Sequence, residues 1–200
     1  GGMALTSDAA QRWYDTTGVE INEGYGLTET SPVVSINTGG IGRKLGSIGV
    51  TAPSTELKVI DGEGNALPCG EKGELCVRGP QVMQGYWQQP EKSAEVLSAD
   101  GWFATGDIAV ISEDGFPQLV DRKKDMIIVS GFNVYPNELE NVISSHDKVL
   151  ECAVIGVADE RAGEQVKVYV VKSDPSLTSE EVITYCRSQL TPYKVPSLVA

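Results

Sequence analysis

The stretch DRKKDMIIVSGFNVYPNELE, Asp121 to Glu140, changes character twice within one short span. It opens on the charge run Asp121-Arg122-Lys123-Lys124-Asp125 and passes into a strand-like segment, Asp125 to Val129. From Pro136 the pattern predicts a helix to Ser144. Beyond it, strands are expected at Ala153 to Val157 and Val166 to Val171, and a last helix carries Val182, Ile183, Cys186 and Leu190 on one face. Alternation of strand and helix from Asp121 onward suffices for a separate small α+β domain. The charge run is the only one between this region and the part before it, so the chain divides into residues 1–121 and 122–200.

Moving back from that boundary, residues Gly46 to Gly79 hold brief apolar runs, Leu57 to Ile60 and Glu74 to Val77, separated by DGEGN and PCGEKGE. Those separators are turn chemistry, and the segment reads as a small antiparallel β unit. Further back, Ser7 is a good N-cap. Ala10, Trp13, Tyr14 and Thr17 follow at helical spacing, and Gly18 stands where a C-terminal glycine belongs, which predicts a helix over 7–17. A strand at Val19 to Asn22 would then lead into GYGLTET, Gly24 to Thr30. The fold class is α+β, with a helix, strand and small antiparallel unit followed by a small α+β C-terminal domain.

With 200 residues, 40% hydrophobic and 22% charged, the composition is that of an ordinary globular protein. Sixteen Lys plus Arg against 28 Asp plus Glu leave a formal charge of -12, which disfavours a nucleic-acid or polybasic membrane role. Cys69, Cys76, Cys152 and Cys186 are scattered without a C-x-x-C, and His146 is the single histidine, so a zinc site is not expected. The absence of a long apolar run or a basic-then-apolar leader points to a reduced cytoplasmic compartment.

GYGLTET has its own chemistry. Glycines allow close backbone approach, an aromatic stacks on a flat base, a threonine hydroxyl meets phosphate oxygen, and a glutamate holds Mg²⁺. Such a set suits a nucleotide triphosphate, although a polar turn after a strand would contain the same residues.

GELCVRGPQVMQGYW (Gly73 to Trp87), GWFATGD (Gly101 to Asp107) and DRKKDMIIVSGFNVYPNELE follow GYGLTE in the order and approximate spacing of the acyl-adenylate-forming superfamily. The chain resembles an acyl-CoA synthetase, and VDRKKDMIIVSGFNVYPNELE, GPQVMQGYW and LTPYKVP are most similar to bacterial long-chain fatty acid CoA ligases. The resemblance implies the end of a large nucleotide-binding domain followed by a small mobile one. It also implies ATP-dependent activation of a fatty acid to acyl-AMP, with AMP, Mg²⁺ and CoA as the other ligands. Residue by residue, it implies that Tyr25, with Gly26, meets adenine, Thr28 meets the α-phosphate region and Glu29 coordinates Mg²⁺. Asp107 would bind both ribose hydroxyls and Arg122 would approach ribose and phosphate. Gly1 and Gly2 would edge the adenine, Lys124 would be the hinge between two domain arrangements, and Gly131 would admit the pantetheine arm. The structural alternatives are a turn-ending Asp107, a surface ion pair at Arg122 and a core Tyr25.

The superfamily's Ser/Thr/Gly-rich phosphate loop and the C-terminal Gly-Lys whose lysine drives adenylation have no counterpart in the sequence. The chain is therefore read as truncated at both ends, and by itself is expected to be inactive as a ligase. Lys194 in TPYKVP is read as a surface lysine. Two other readings stay open: an enzyme that adenylates an aryl acid or serves a carrier-protein acceptor, and a noncatalytic nucleotide-binding module. The resemblance leaves acyl length, homodimerisation and peripheral membrane contact at the inner face open.

Overall fold

The computed structural model describes residues 5, 7–39 and 42–200. The chain forms two compact units that divide between Leu119 and Val120.

In the first unit, helix α1 (Ser7–Thr17) has the expected bounds. It stops where Gly18 takes φ +68° and donates its N–H to Tyr14 O at 2.8 Å. A three-stranded antiparallel sheet follows, with β1 (Glu23–Gly26), β2 (Val33–Asn37) and β3 (Val50–Thr51) in that order. The strand expected at Val19 to Asn22 lies four residues later, in EGYG. Val19 is 60% exposed, and the ladder Glu23↔Asn37 to Tyr25↔Ser35 selects the segment that faces the buried residues of β2. At the end of β1 the register slips, with Gly26 opposite Val33. The backbones there are so close that a Cβ on Gly26 would lie 1.7 Å from Pro32 O. Gly26→Ala is therefore expected to cost about 2 kcal/mol of stability through forced backbone displacement. A urea-unfolding midpoint that did not move would contradict it.

The second sheet of this unit is β4 (Glu56–Ile60), β5 (Lys72–Arg78), β6 (Phe103–Ile111) and β7 (Pro117–Arg122), in sequential order. The division between the units falls inside β7. Asp61 closes the first hairpin by accepting the N–H groups of Glu63 and Asn65 on one carboxylate oxygen, at 2.8 and 2.9 Å. Val59, Leu75 and Ala109 form the buried centre, with Tyr25, Ile48, Leu57, Leu67 and Ile111 packed against it. Helix α2 (Pro90–Val96), unforeseen in the sequence, starts on a proline between β5 and β6. Outside the core, Lys58 Nζ lies 4.3 Å and the Arg78 guanidinium 4.7 Å from the centre of the Trp102 ring.

The second unit comprises β8 (Ile127–Val129), β9 (Phe132–Val134), α3 (Pro136–Ser144), β10 (Val149–Asp159), β11 (Gly163–Lys172), α4 (Ser179–Gln189) and β12 (Leu198–Val199). The sheet order is β10-β11-β8-β9, with β12 parallel to β11. Lys123–Asp125 forms a 3₁₀ turn, so the strand expected from Asp125 begins at Ile127, the first fully buried side chain after the charge run. Helix α3 has the expected bounds and buries Pro136, Leu139 and Ile143, at helical spacing. Helix α4 is capped by Thr178, whose hydroxyl accepts the Glu181 N–H at 3.2 Å, and it buries Val182 and Cys186 one turn apart. Those residues join Ile127, Val134, Val154, Val166 and Val168 in one core.

Lys194 is not a surface lysine. Its side chain is only 13% exposed, and Nζ donates to Glu138 Oε1 at 2.6 Å. The neighbouring Tyr193 ring stacks on Phe132 at 4.8 Å. Among the described residues no helix is long and apolar enough to cross a membrane.

Candidate active site

The T-G-D motif, for which a turn ending at Asp107 was the structural alternative to a ribose contact, lies inside strand β6. Glu74 pairs with Ile108 but Cys76 pairs with Ala104, so Leu75 of β5 faces the three residues Thr105, Gly106 and Asp107 of β6. This is a bulge, the device by which a strand re-aims a side chain. Gly106 supplies the positive φ it needs, +74°. The bulge is pinned on both sides. Thr105 Oγ1 donates to Leu75 O at 2.9 Å and accepts the Asp107 N–H at 3.1 Å, and the Gly106 N–H reaches Glu74 Oε1 at 3.2 Å.

So aimed, Asp107 meets Tyr25. The Tyr25 hydroxyl donates to Asp107 Oδ2 at 2.6 Å across 82 residues of sequence. Both side chains are half-buried, and the Tyr25 ring packs against the Val59, Leu75 and Ala109 cluster. The core alternative for Tyr25 is thus half realised, since its ring reaches the core while its hydroxyl holds a carboxylate.

Thr28, Glu29 and Thr30 form a 3₁₀ turn directly after β1. Thr30 is fully buried and structural; its hydroxyl accepts the Leu27 N–H at 3.0 Å and donates to Pro32 O at 2.7 Å. Thr28 is exposed and Glu29 half-buried. The Tyr86 hydroxyl donates to Glu29 Oε1 at 3.0 Å, and the Met83 N–H donates to Glu29 O at 2.8 Å. Burial first, and then the Glu29 carboxylate, raise the Tyr86 phenol above its ordinary value, which keeps it a proton donor. Among the described residues no three His, Cys, Asp or Glu side chains converge as a metal-ligand group. A single half-buried carboxylate suits Mg²⁺, which binds through one or two carboxylates plus substrate phosphates rather than in a protein cage.

Arg122, Lys124 and Gly131 belong to the second unit and are exposed. Gly131 follows Ser130 at the tip of the β8–β9 hairpin, where φ values of +50° and +83° suit a type I′ turn. The buried Asp121 accepts the Arg122 N–H at 2.7 Å and, from the first turn of α3, the Asn137 N–H at 2.9 Å. Burial raises its carboxyl above the usual range against the pull of those two donors. Gly1 and Gly2 lie outside the described residues. Tyr86, Glu74 and Thr105 carry contacts to the site that the sequence reading missed. Tyr86 reaches Glu29 across 57 residues and Glu74 reaches Gly106 across 32, whereas Thr105 combines a distant contact to Leu75 O with a local one to the Asp107 N–H.

The AMP-binding enzyme family matches residues 1–87, and the AMP-binding enzyme C-terminal domain matches residues 138–200. The long-chain-fatty-acid-CoA ligase of Yersinia pestis is 57% identical over 199 residues, covering 100% of this chain and 35% of that protein. The feruloyl-CoA synthase of an Amycolatopsis species is 44% identical over 201 residues, covering 100% of this chain and 40% of that one. Among solved structures, ATP-bound MatB from Rhodopseudomonas palustris matches with a TM-score of 0.93 at 37% identity, over 98% of this chain and 40% of its own. The chain thus spans about a third of the length of the curated ligases it matches. With both parts of the family matched in order, and relatives more than half identical along the whole sequence, the chain belongs to the AMP-binding enzyme family.

Proposed function

We propose that the full-length protein carrying this chain is an AMP-forming acid-CoA ligase for long-chain fatty acids, acting in the cytoplasm on fatty acid, ATP and CoA. The observation that carries the reading is the 55–57% identity to enterobacterial and Yersinia long-chain-fatty-acid-CoA ligases, against 44% to the feruloyl-CoA synthases.

In this reading residues 1–121 are the end of the large nucleotide-binding domain and 122–200 most of the small mobile one. Tyr25 and Gly26 meet adenine, and Asp107, steadied by the Tyr25 hydroxyl, accepts from both ribose hydroxyls. Gly1 and Gly2 edge the base. Thr28 offers its exposed hydroxyl to the α-phosphate, and Arg122 adds positive charge beside ribose and phosphate. Mg²⁺ held by Glu29 and the ATP phosphates would offset the repulsion between a carboxylate and the polyphosphate. A fatty carboxylate oxygen attacks the α-phosphorus, pyrophosphate leaves, and the acyl-AMP anhydride remains. The CoA sulfur then attacks the acyl carbon and AMP leaves. Lys124 would be the point about which the small domain turns between the two steps, bringing Gly131 to the pantetheine arm.

The test of substrate class is thioester formation by the full-length enzyme with hexanoate, palmitate and ferulate. Palmitate is expected to lead ferulate in kcat/KM by about ten-fold or more, the discrimination available to a hydrophobic pocket. Ferulate in the lead would overturn the long-chain reading in favour of an aryl acid.

A further inference from the structure

We propose that Tyr86 is a positioning residue for this reaction: its hydroxyl fixes Glu29 by one carboxylate oxygen and so directs the other toward the metal–nucleotide substrate. The inference rests on the reading of Glu29 as the Mg²⁺ ligand.

Glu29 stands in a three-residue 3₁₀ turn, too short to fix a long side chain by itself, and glutamate has three rotatable bonds to order. The segment from Met83 to Tyr86 supplies the missing restraint at both ends of the residue. The Met83 N–H holds the Glu29 carbonyl at 2.8 Å and the Tyr86 hydroxyl holds Oε1 at 3.0 Å. That segment is itself anchored to α2. The Tyr86 N–H donates to Ser93 Oγ at 2.8 Å, and Ser93 Oγ donates in turn to Gln89 O at 2.8 Å. Gly85, at φ +149°, brings the chain so close that a Cβ there would lie 2.9 Å from the same Oγ. The first turn of α2, a serine and a phenol therefore lead to one carboxylate oxygen. A donor on Oε1 takes one of that oxygen's lone pairs, restrains the carboxylate's rotation and leaves Oε2 available to a cation. Groups that orient metal ligands in this way are worth about 10- to 100-fold in metal affinity.

The experiment uses the full-length enzyme and follows Mn²⁺, by electron paramagnetic resonance, as it binds in the presence of ATP without fatty acid. Tyr86→Phe is expected to weaken Mn²⁺ binding about ten-fold while the melting temperature stays near that of the parent. Tyr86→Gln, which loses the ring but keeps a donor, is expected to bind Mn²⁺ more tightly than Tyr86→Phe even if it melts lower. Glu29→Gln separates the two layers of the argument. If it weakens Mn²⁺ binding and Tyr86→Phe does not, Glu29 is a ligand that needs no positioning and the inference is overturned. If neither variant changes Mn²⁺ binding, the metal reading of Glu29 fails and the inference falls with it. A Tyr86→Phe enzyme that melts lower but binds Mn²⁺ as before makes the tyrosine a structural tie only, which also overturns it.

Discussion

Asp107→Ala in the full-length enzyme is expected to lower kcat/KM for ATP by about 30- to 1000-fold, equivalent to about 2–4 kcal/mol of transition-state stabilisation. A carboxylate that accepts from two hydroxyls at once makes charge-assisted bonds, the stronger kind. The bulge that presents it is held by Thr105 and Glu74, neither of which the substitution removes, so the melting temperature should barely change. Tyr25→Phe cuts the same 2.6 Å bond from the other side but leaves the carboxylate in place. It is expected to cost less than about ten-fold, the net worth of one hydrogen bond. Unaltered kcat/KM for ATP in the Asp107→Ala enzyme would remove Asp107 from the ribose site.

Lys124→Pro should separate the two half-reactions. Lys124 is exposed in the middle of the Lys123–Asp125 3₁₀ turn, and the backbone on either side is extended, at Arg122 and Met126. Proline fixes φ near −65°, within the 3₁₀ range, so at position 124 it fits the observed φ region at the cost of crowding Lys123 before it, while a hinge that must leave that region is blocked. A backbone rotation at this point would also draw Asn137 away from Asp121, which now accepts its N–H at 2.9 Å. Pyrophosphate exchange is expected to continue, while transfer to CoA from preformed acyl-AMP falls by about a hundred-fold, the equivalent of the roughly 3 kcal/mol that a misplaced proline costs. Equal losses in both steps, with a lower melting temperature, would mark Lys124 as structural and sink the hinge assignment.

What the sequence disclosed and what it hid follow from the range of the interactions. Helices α1 and α3 were legible to the residue because Gly18 and Pro136 punctuate them locally and their apolar residues repeat at helical spacing. The β1 strand was misplaced because Val19 and Ile21 look more strand-like than Glu-Gly-Tyr-Gly, and only the distant Val33–Asn37 segment makes the latter a strand. β6 was missed because a glycine and an aspartate interrupt its pattern, and a bulge with a strand on each side cannot be told locally from a turn. At the candidate site, motif order brought Tyr25, Glu29 and Asp107 forward individually. The partner that each carboxylate holds did not show, because Tyr25 and Asp107 are 82 positions apart and Glu29 and Tyr86 are 57. Lys194 looked like solvent-facing charge because nothing in TPYKVP points to Glu138, 56 positions earlier.

The indole of Trp102, set close to Lys58 and Arg78, has an optical consequence. All three tryptophans, Trp13, Trp87 and Trp102, precede Leu119, whereas Tyr135, Tyr169, Tyr185 and Tyr193 come after it. Tryptophan emission is therefore an intrinsic reporter of the first unit alone, and of Trp102 above all, since Trp13 and Trp87 are 50% and 85% exposed and have less environment to lose. Far-UV circular dichroism sees both units. Superimposing the two signals along one denaturation ramp shows, with no label attached, whether the units melt as a single cooperative block or in succession.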